Sequence, residues 1–114
     1  MKKNTLIMVS LMVVIIAIIL IINQVTSNGN HDAELIKCIA ENSKIYVLPT
    51  CSACSAQKEY LGEHLDKFEI IDCAKESVEC SVKGIIAVPT WEILGEKYRG
   101  YKTIEELKQL TGCE

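Results

Sequence analysis

The sequence lacks the length for a large fold, and its polar part lacks an excess of positive charge. The chain has 114 residues, and about 84 remain once the apolar N-terminal stretch is set aside, enough for one small domain. This length excludes a two-domain enzyme, a large cofactor fold such as a Rossmann unit, and a multi-span transporter. Two of the 12 basic residues, Lys2 and Lys3, precede the apolar stretch, so 10 basic residues face 15 acidic ones in the remainder. A nucleic-acid interface needs the opposite sign of charge, so that class is excluded as well.

Aromatic residues are also scarce, at 5 % of the chain, although 49 % of the residues are hydrophobic. The difference comes from one uncharged block of 17 residues, Leu6–Ile22. As a helix this block would be about 25 Å long, and its flanks extend it towards the thickness of a bilayer core. A signal peptide has a shorter apolar region and a small-residue cleavage site, which Asn23–Ser27 matches poorly. We predict a retained anchor over 1–25, with residues 5–25 in the lipid bilayer; a cleaved signal peptide is the alternative.

The flanking charges indicate how such an anchor would be oriented. Lys2 and Lys3 lie on the N-terminal side of the block, and basic residues stay on the cytoplasmic side. We therefore expect a single pass through the cytoplasmic membrane, with the N-terminus inside and the rest of the chain extracytoplasmic. Disulfides persist in that environment. Residues 26–31 are polar with one glycine and are predicted to be a linker, and 32–114 are predicted to form the folded domain.

Residues 32–114 show helical and strand patterns in alternation, followed by a hairpin. Gly95 provides the positive φ of a tight turn, Thr103 and Glu106 form a capping-box pattern, and Gly112 is typical of a helix end. This order predicts an α/β fold, a mixed four-stranded sheet flanked by helices. The predicted helices cover about 33–41, 51–65, 73–83 and 103–111, and the predicted strands about 44–48, 68–72, 90–94 and 97–101.

All six cysteines follow the apolar block, and two of them form a Cys-x-x-Cys motif at the start of a predicted helix. The first, Cys51, would lie beside unpaired backbone N–H groups and the positive end of the helix dipole. Both features favour the thiolate, which is the nucleophile in disulfide exchange. The second, Cys54, would lie about one turn deeper, where it can attack a mixed disulfide formed at Cys51.

A structural disulfide and half of a zinc site are the alternatives for this motif. Zinc needs further ligands, typically a second close pair of cysteines. Cys73 and Cys80 are too far apart in sequence for such a pair, and His31 and His64 show no ligand spacing. We therefore predict no metal site and favour redox exchange.

The context of the motif resembles the thioredoxin superfamily over about residues 33–114. A strand precedes Cys-x-x-Cys, a helix follows it, and Val88-Pro89-Thr90 comes some 35 residues later. The resemblance implies a thioredoxin-like sheet in which Cys51 is the attacking thiol and Cys54 the resolving thiol. It also implies that Pro89 is cis and lies against the sulfurs, and that Val88 presents backbone atoms to a bound peptide.

A narrower group shows a closer resemblance, namely the thioredoxin-like domains fused to or encoded beside bacterial and archaeal homologues of vitamin K epoxide reductase. This resemblance implies that the domain exchanges disulfides with exported proteins and is reoxidised by the membrane protein. The quinone cofactor would belong to that partner, so no cofactor is expected in this chain. The segments that carry the resemblance are Val88–Ile93, Gly95–Gly100, Glu105–Leu107 and Gly112–Cys113.

Two positions depart from the wider family. Thr50 stands where many members carry Trp, and Ile45 stands where thioredoxins commonly place a buried acid that helps to deprotonate the second cysteine. These departures favour oxidation or partner-specific exchange over general reduction.

Trp91 is expected either to pack in the core or to belong to an apolar rim where peptides or the partner dock.

The four other cysteines allow three pairings among themselves. We favour Cys73–Cys80, which closes a short loop, and Cys38–Cys113, which joins the first predicted helix to the C-terminus. Such disulfides would stabilise a small domain. An electron relay through Cys73 or Cys80 is the functional alternative.

Together these features predict an anchored, extracytoplasmic thiol–disulfide oxidoreductase that acts on exported thiol-containing proteins. Two alternatives remain open. One is an anchored reductase, for example for haem-attachment cysteines, and the other is a non-catalytic module that uses a thioredoxin-like groove to hold a client.

Overall fold

A computed structural model covers residues 1–114; it describes the backbone throughout and the side chains of 1–25 and 32–114. The side chains of the predicted linker, 26–31, therefore lie outside the description. The first helix, α1, has the bounds Lys2–Glu41. The chain divides into two compact units, Met1–Ala33 and Glu34–Glu114, and each is considered by itself.

The first unit contains an apolar helical segment, Lys2–Val25. Its 24 residues include a window with a mean hydropathy of 3.3, none of which is buried. At 1.5 Å per residue the segment is about 36 Å long, which exceeds the hydrocarbon thickness of a bilayer. It is therefore long and apolar enough to span a membrane, and an N-terminal signal sequence meets the same criteria.

The second unit contains the predicted alternation of helices and strands. The helix predicted over 51–65 ends earlier, because Gly62 has a φ of +50° and the chain continues as a 3-10 helix. After α1, the elements are β1 (Ser43–Val47), α2 (Ser52–Leu61), the 3-10 helix (Gly62–Lys67), β2 (Glu69–Asp72), α3 (Ser77–Val82), β3 (Thr90–Ile93), β4 (Glu96–Arg99) and α4 (Ile104–Thr111).

The four strands form one mixed sheet in the order β2-β1-β3-β4. Strand β1 pairs in parallel with β2, and β3 is antiparallel to both β1 and β4. In the β1–β3 ladder Tyr46 lies opposite Thr90, and Ile45 lies opposite Trp91. The predicted mixed four-stranded sheet is confirmed.

The two faces of the sheet support two apolar clusters, because side chains alternate along a strand. Ile45 and Val47 belong to the main core, which also includes residues of α1, α2 and α4. Tyr46 belongs to a smaller cluster with Ile71 and Cys80, the latter on α3. Helices therefore flank both faces of the sheet, as the alternating pattern predicts.

The last helix begins and ends as its sequence predicts. The Thr103 side chain accepts a hydrogen bond from the Glu106 backbone N–H, and the Glu106 carboxylate accepts one from the Thr103 N–H. Gly112 ends the helix in the left-handed conformation, with a φ of +75°. The capping box and the glycine stop are both confirmed.

Two disulfides lie outside the Cys-x-x-Cys motif. Cys38 of α1 pairs with Cys113 over a sequence separation of 75, and Cys73 pairs with Cys80 over a separation of 7. Cys113 is buried in the main core and Cys80 in the smaller cluster. These are the two pairs that the sequence analysis favours, and each is placed to restrict the unfolded chain.

We expect the longer cross-link to contribute more stability. In the chain-entropy account, replacing Cys38 and Cys113 together by Ala lowers the free energy of unfolding by about 4 kcal/mol, and the same change at Cys73 and Cys80 lowers it by about 2 kcal/mol. Urea unfolding of the full chain in detergent micelles measures both losses. A larger loss for the short loop would contradict this expectation.

The β3–β4 turn contains a residue in an unfavourable backbone conformation. Leu94 has a φ of +51° and precedes Gly95, whose φ is +85°. Two consecutive positive φ angles are typical of a type I′ hairpin turn, which favours Asn at the first position and Gly at the second. The Leu94 side chain is also 66 % exposed, so its burial offers little compensation.

Leu94→Asn should therefore stabilise the protein. We expect the free energy of unfolding to rise by about 0.5–1 kcal/mol, because a left-handed conformation costs a branched residue roughly 1–2 kcal/mol and Asn much less. Leu94→Ala is the matched control, since it also removes the exposed apolar side chain but keeps the backbone cost. Urea midpoints that are equal for the two variants would contradict the argument.

Candidate active site

The Cys-x-x-Cys motif lies where β1 leads into α2. Cys51 is the N-cap of α2 and adopts an extended conformation, and its Sγ accepts a hydrogen bond from the backbone N–H of Cys54 at 3.1 Å. Cys51 and Cys54 form a disulfide. A negative charge on the Cys51 sulfur would meet this N–H and the positive end of the helix dipole, and both stabilise a thiolate.

The two sulfur-bearing residues differ in their access to solvent. Cys54 is only 1 % exposed and belongs to the main core, whereas Cys51 is half-buried at its edge. Thiol–disulfide exchange requires that an incoming thiolate reach the sulfur that it attacks. An external thiol can therefore approach the sulfur of Cys51 but not that of Cys54.

The Val88–Pro89 segment lies directly beside the motif. The peptide bond between Val88 and Pro89 is cis, and Pro89 is buried. The Val88 carbonyl oxygen is 3.7 Å from the Sγ of Cys51, although the two residues are 37 positions apart in sequence. In the dithiol form, the Cys51 S–H would be placed to donate to this carbonyl.

Hydrogen bonds on both sides hold this segment in place. Thr90, the first residue of β3, donates its hydroxyl to the Ala87 carbonyl oxygen at 2.7 Å, so the turn 87–90 is closed on itself. The backbone N–H of Gly100 donates to the Pro89 carbonyl oxygen at 2.8 Å. The structure thus brings together Cys51, Cys54, Val88, Pro89 and Thr90, the five site residues that the sequence resemblance implies.

A second polar network connects α3 to the sheet. The Tyr46 hydroxyl donates to Oε2 of Glu92 at 3.0 Å, and Nζ of Lys83 lies 3.3 Å from Oε1 of the same carboxylate. Burial alone would raise the pKa of Glu92, but the hydrogen bonds from Tyr46 and Lys83 outweigh burial and leave this pKa below its usual value. Burial, and then the bond to Glu92, raise the pKa of Tyr46, which therefore remains a donor at neutral pH.

Other candidate residues take structural positions. Trp91 is fully buried and meets Phe68 edge-on at a centroid distance of 5.7 Å, so its predicted alternative role in an exposed rim is wrong. The reason is the strand alternation that places Trp91 on the same face as Ile45. Nε2 of His64 lies 3.8 Å from Oε1 of Glu63, and the side chain of His31 lies outside the description.

The structure offers no set of side chains arranged for a metal among the residues whose side chains it describes. Within 1–25 and 32–114 there is no group of three or more His, Cys, Asp or Glu residues that could hold an ion. All six cysteine sulfurs are engaged in disulfides.

One residue near the motif has no predicted role. Gln57 is completely buried on the same face of α2 as Cys54 and Leu61. The spacing of these three residues is the signal that could have indicated an inward-facing amide, but the sequence does not reveal what that amide contacts.

The chain matches no known protein-family model. We therefore infer its function from the geometry of the site and the chemistry of its residues.

Glu92→Gln should destabilise the protein at neutral pH by about 1–3 kcal/mol, the usual range for losing hydrogen bonds to a charged group. A carboxyl whose pKa is lower in the folded state contributes stability above its ordinary pKa of 4.5, and this contribution is lost as the pH falls through the folded-state value. The difference between wild type and variant should therefore shrink between about pH 5 and about pH 3.

Urea unfolding at a series of pH values measures this difference. Glu96→Gln is the control, because Glu96 is an exposed glutamate on the neighbouring strand. A difference that stays constant down to about pH 3 would show that the Glu92 charge is not the cause.

Proposed function

We propose that this protein is a membrane-anchored, extracytoplasmic thiol–disulfide oxidoreductase with a thioredoxin-like domain. The single observation that carries the proposal is the position of Cys51. Its sulfur caps the start of α2, is the only accessible one of the pair, and lies 3.7 Å from the carbonyl oxygen that precedes a cis proline. The β2-β1-β3-β4 strand order, with helices on both faces, fits the thioredoxin-like fold that the sequence resembles.

The chemistry follows from the exposure of the two cysteines. A client thiolate attacks Sγ of Cys51; a new S–S bond forms, the Cys51–Cys54 bond breaks, and the electron pair goes to the Cys54 sulfur, which takes up a proton. A second client thiolate then attacks the client sulfur of the mixed disulfide, and Cys51 leaves as the thiolate. The client gains a disulfide, and the Cys51–Cys54 pair is reduced by two electrons.

The backbone around the site supports each of these steps. The N–H of Cys54, already directed at the Cys51 sulfur, stabilises the thiolate that leaves at the end of the reaction. The half-buried Val88 backbone, beside the Cys51 sulfur, would offer main-chain groups to an extended client segment, in the manner of strand addition. The burial of Cys54 keeps client thiols away from the second sulfur.

The pair must be reoxidised if the protein acts as an oxidase. We propose a vitamin K epoxide reductase-type membrane protein as the oxidant, with its quinone accepting the two electrons. The apolar segment Lys2–Val25 supports this arrangement, because a membrane anchor would keep the exported domain close to such a partner. The same segment would restrict exchange to one side of the cytoplasmic membrane.

Cys54→Ser tests the exchange activity directly. Without the resolving thiol, mixed disulfides between Cys51 and client proteins should accumulate in cells. They should be visible on non-reducing gels after acid has stopped exchange and the free thiols have been alkylated. Cys80→Ser is the matched control, since it leaves a single thiol, Cys73, on the other face of the sheet. Equal trapping by both variants, or trapping by neither, would contradict the proposal and favour a binding module.

The redox state in cells distinguishes an oxidase from a reductase. Rapid acid quenching and alkylation should find the Cys51–Cys54 pair mostly oxidised, because an oxidase waits in its disulfide form for client thiols. A pair that is mostly reduced would favour the anchored reductase instead.

A further inference from the structure

Gln57 is a buried polar side chain that the exchange reaction itself leaves unexplained. It is 0 % exposed and lies three residues after Cys54, on the inward face of α2. A carboxamide that is removed from water needs hydrogen-bond partners inside the protein, and a residue without such partners would destabilise the fold. The identity of these partners indicates what Gln57 does.

Gln57 makes three hydrogen bonds to two segments outside α2. Its Oε1 accepts from the backbone N–H of Lys102 at 2.6 Å and from Nε1 of Trp91 at 3.3 Å. Its Nε2 donates to the carbonyl oxygen of Lys102 at 2.9 Å. The amide thus pairs with both main-chain groups of Lys102, in the way that a neighbouring strand would.

Both segments to which Gln57 is hydrogen-bonded are connected to Pro89, one along the chain and one by a hydrogen bond. Trp91 follows Pro89 by two positions in β3, and Lys102 follows Gly100, whose N–H donates to the Pro89 carbonyl oxygen. Gln57 therefore connects the helix that carries the reactive cysteines to the two chain segments that hold the cis proline. These bonds involve no sulfur atom, so opening the Cys51–Cys54 disulfide breaks none of them directly.

We propose that Gln57 is a positioning residue for thiol–disulfide exchange, and that it sets the placement of Cys51 relative to Val88 and Pro89. This inference rests on the proposed function. Three directional hydrogen bonds restrict the rotation of α2 about its axis. An apolar side chain of the same volume at this position would restrict that rotation less. A rotation or shift of α2 moves the Cys51 sulfur away from the Val88 carbonyl, and a displacement of about 1 Å at a reacting centre can reduce a rate by about 100-fold.

Gln57→Leu removes the amide and keeps most of the side-chain volume. In the full chain in detergent micelles, we expect the rate constant for opening of the Cys51–Cys54 disulfide by dithiothreitol to fall at least about 10-fold. The matched control is Leu61→Ala, which weakens the same face of α2 one turn further on, where Leu61 is 2 % exposed. This control should reduce stability but leave the rate within about twofold of wild type, since Leu61 makes no bond to Trp91 or Lys102.

Trp91 provides a spectroscopic readout that a loss of stability alone does not change. It is the only tryptophan in the chain, and its indole N–H is bonded to Gln57. Reduction of the disulfide should alter its emission in the wild type and in Leu61→Ala. The redox-dependent change should be strongly diminished in Gln57→Leu, because the connection between α2 and the indole is lost.

Gln57→Glu is the second variant, and it decides the question if Gln57→Leu fails to fold. The new glutamate can replace both bonds of the amide only when its carboxyl is protonated. In that form it can accept from the Lys102 N–H and donate to the Lys102 carbonyl oxygen. The Lys102 ammonium is engaged with the carbonyl oxygens of Arg99 and Tyr101, so we do not expect it to neutralise the new carboxylate. The exchange rate relative to wild type at the same pH should therefore recover as the pH is lowered.

The outcomes separate the inference from the proposed function. If the wild-type disulfide opens readily and the rate falls equally in Gln57→Leu and Leu61→Ala, Gln57 is structural only, and the proposed function stands. A Gln57→Glu rate that stays constant relative to wild type at every pH would overturn the inference in the same way. If dithiothreitol opens the wild-type Cys51–Cys54 pair no faster than the two other disulfides, the proposed function fails and the inference fails with it.

Discussion

The antiparallel pairing of β1 with β3 is the constraint on which the site depends. Tyr46 lies opposite Thr90 in this ladder, so the end of β1, which leads to Cys51, is adjacent to the start of β3, which follows Pro89. A shift of one residue would turn every side chain of one strand to the other face. Trp91 would then leave the main core, so the apolar packing and the geometry of the site select the same register.

The two faces of the sheet have different roles. The face that carries Ile45 and Trp91 supports α2, so Cys54 lies in the main core and Cys51 packs against it. The opposite face carries Tyr46 and the Cys73–Cys80 disulfide, and Glu92 connects it to the end of α3. The chain between α3 and β3 contains the cis proline. The contacts of Glu92 with Lys83 and Tyr46 hold the beginning of this segment, and the hydrogen bonds made by Thr90 and Gly100 hold its end.

All three disulfides join one buried and one half-buried cysteine, so exposure does not separate them, but the surroundings of the half-buried sulfur do. Cys113 and Cys80 are buried, and each anchors a cross-link within an apolar cluster. In the third pair Cys54 is buried, but Cys51 lies at a helix start with its sulfur beside a backbone N–H and a backbone carbonyl. On the proposed function, the same covalent bond therefore has a structural use in two places and serves exchange in one. The difference lies in the surroundings of the sulfurs and not in their chemistry.

Among the residues whose side chains the structure describes, no acid is buried in the main core beside Cys54. Ile45 lies in the main core, where its side chain cannot accept a proton from Cys54. The buried polar group that the structure does provide on α2 is Gln57, a neutral amide that accepts and donates hydrogen bonds but does not titrate at ordinary pH. On the proposed function, such a site positions Cys51 without assisting the deprotonation of Cys54, which would suit a protein that mainly delivers a disulfide.

Local patterns were sufficient to predict much of the fold and part of the site. The apolar block, the capping box at Thr103 and Glu106, the stop at Gly112 and the order of helices and strands follow from residues close together in sequence. Short-range spacing also indicates that Cys51 and Cys54 lie on the first turn of a helix. Physical rules that act over a few residues, namely side-chain periodicity and helix capping, determine all of these features.

Tertiary structure alone decided the contacts between distant segments. Such contacts include the 3.7 Å approach of Val88 to Cys51 and the hydrogen bonds of Gln57 to Trp91 and Lys102. They join residues that are 34 to 45 positions apart. No local pattern specifies such contacts, because they depend on which strands pair, in which register, and on how helices pack against them. The sequence by itself determined a pair of cysteines at a helix start, and the packing of the sheet determined what that pair faces.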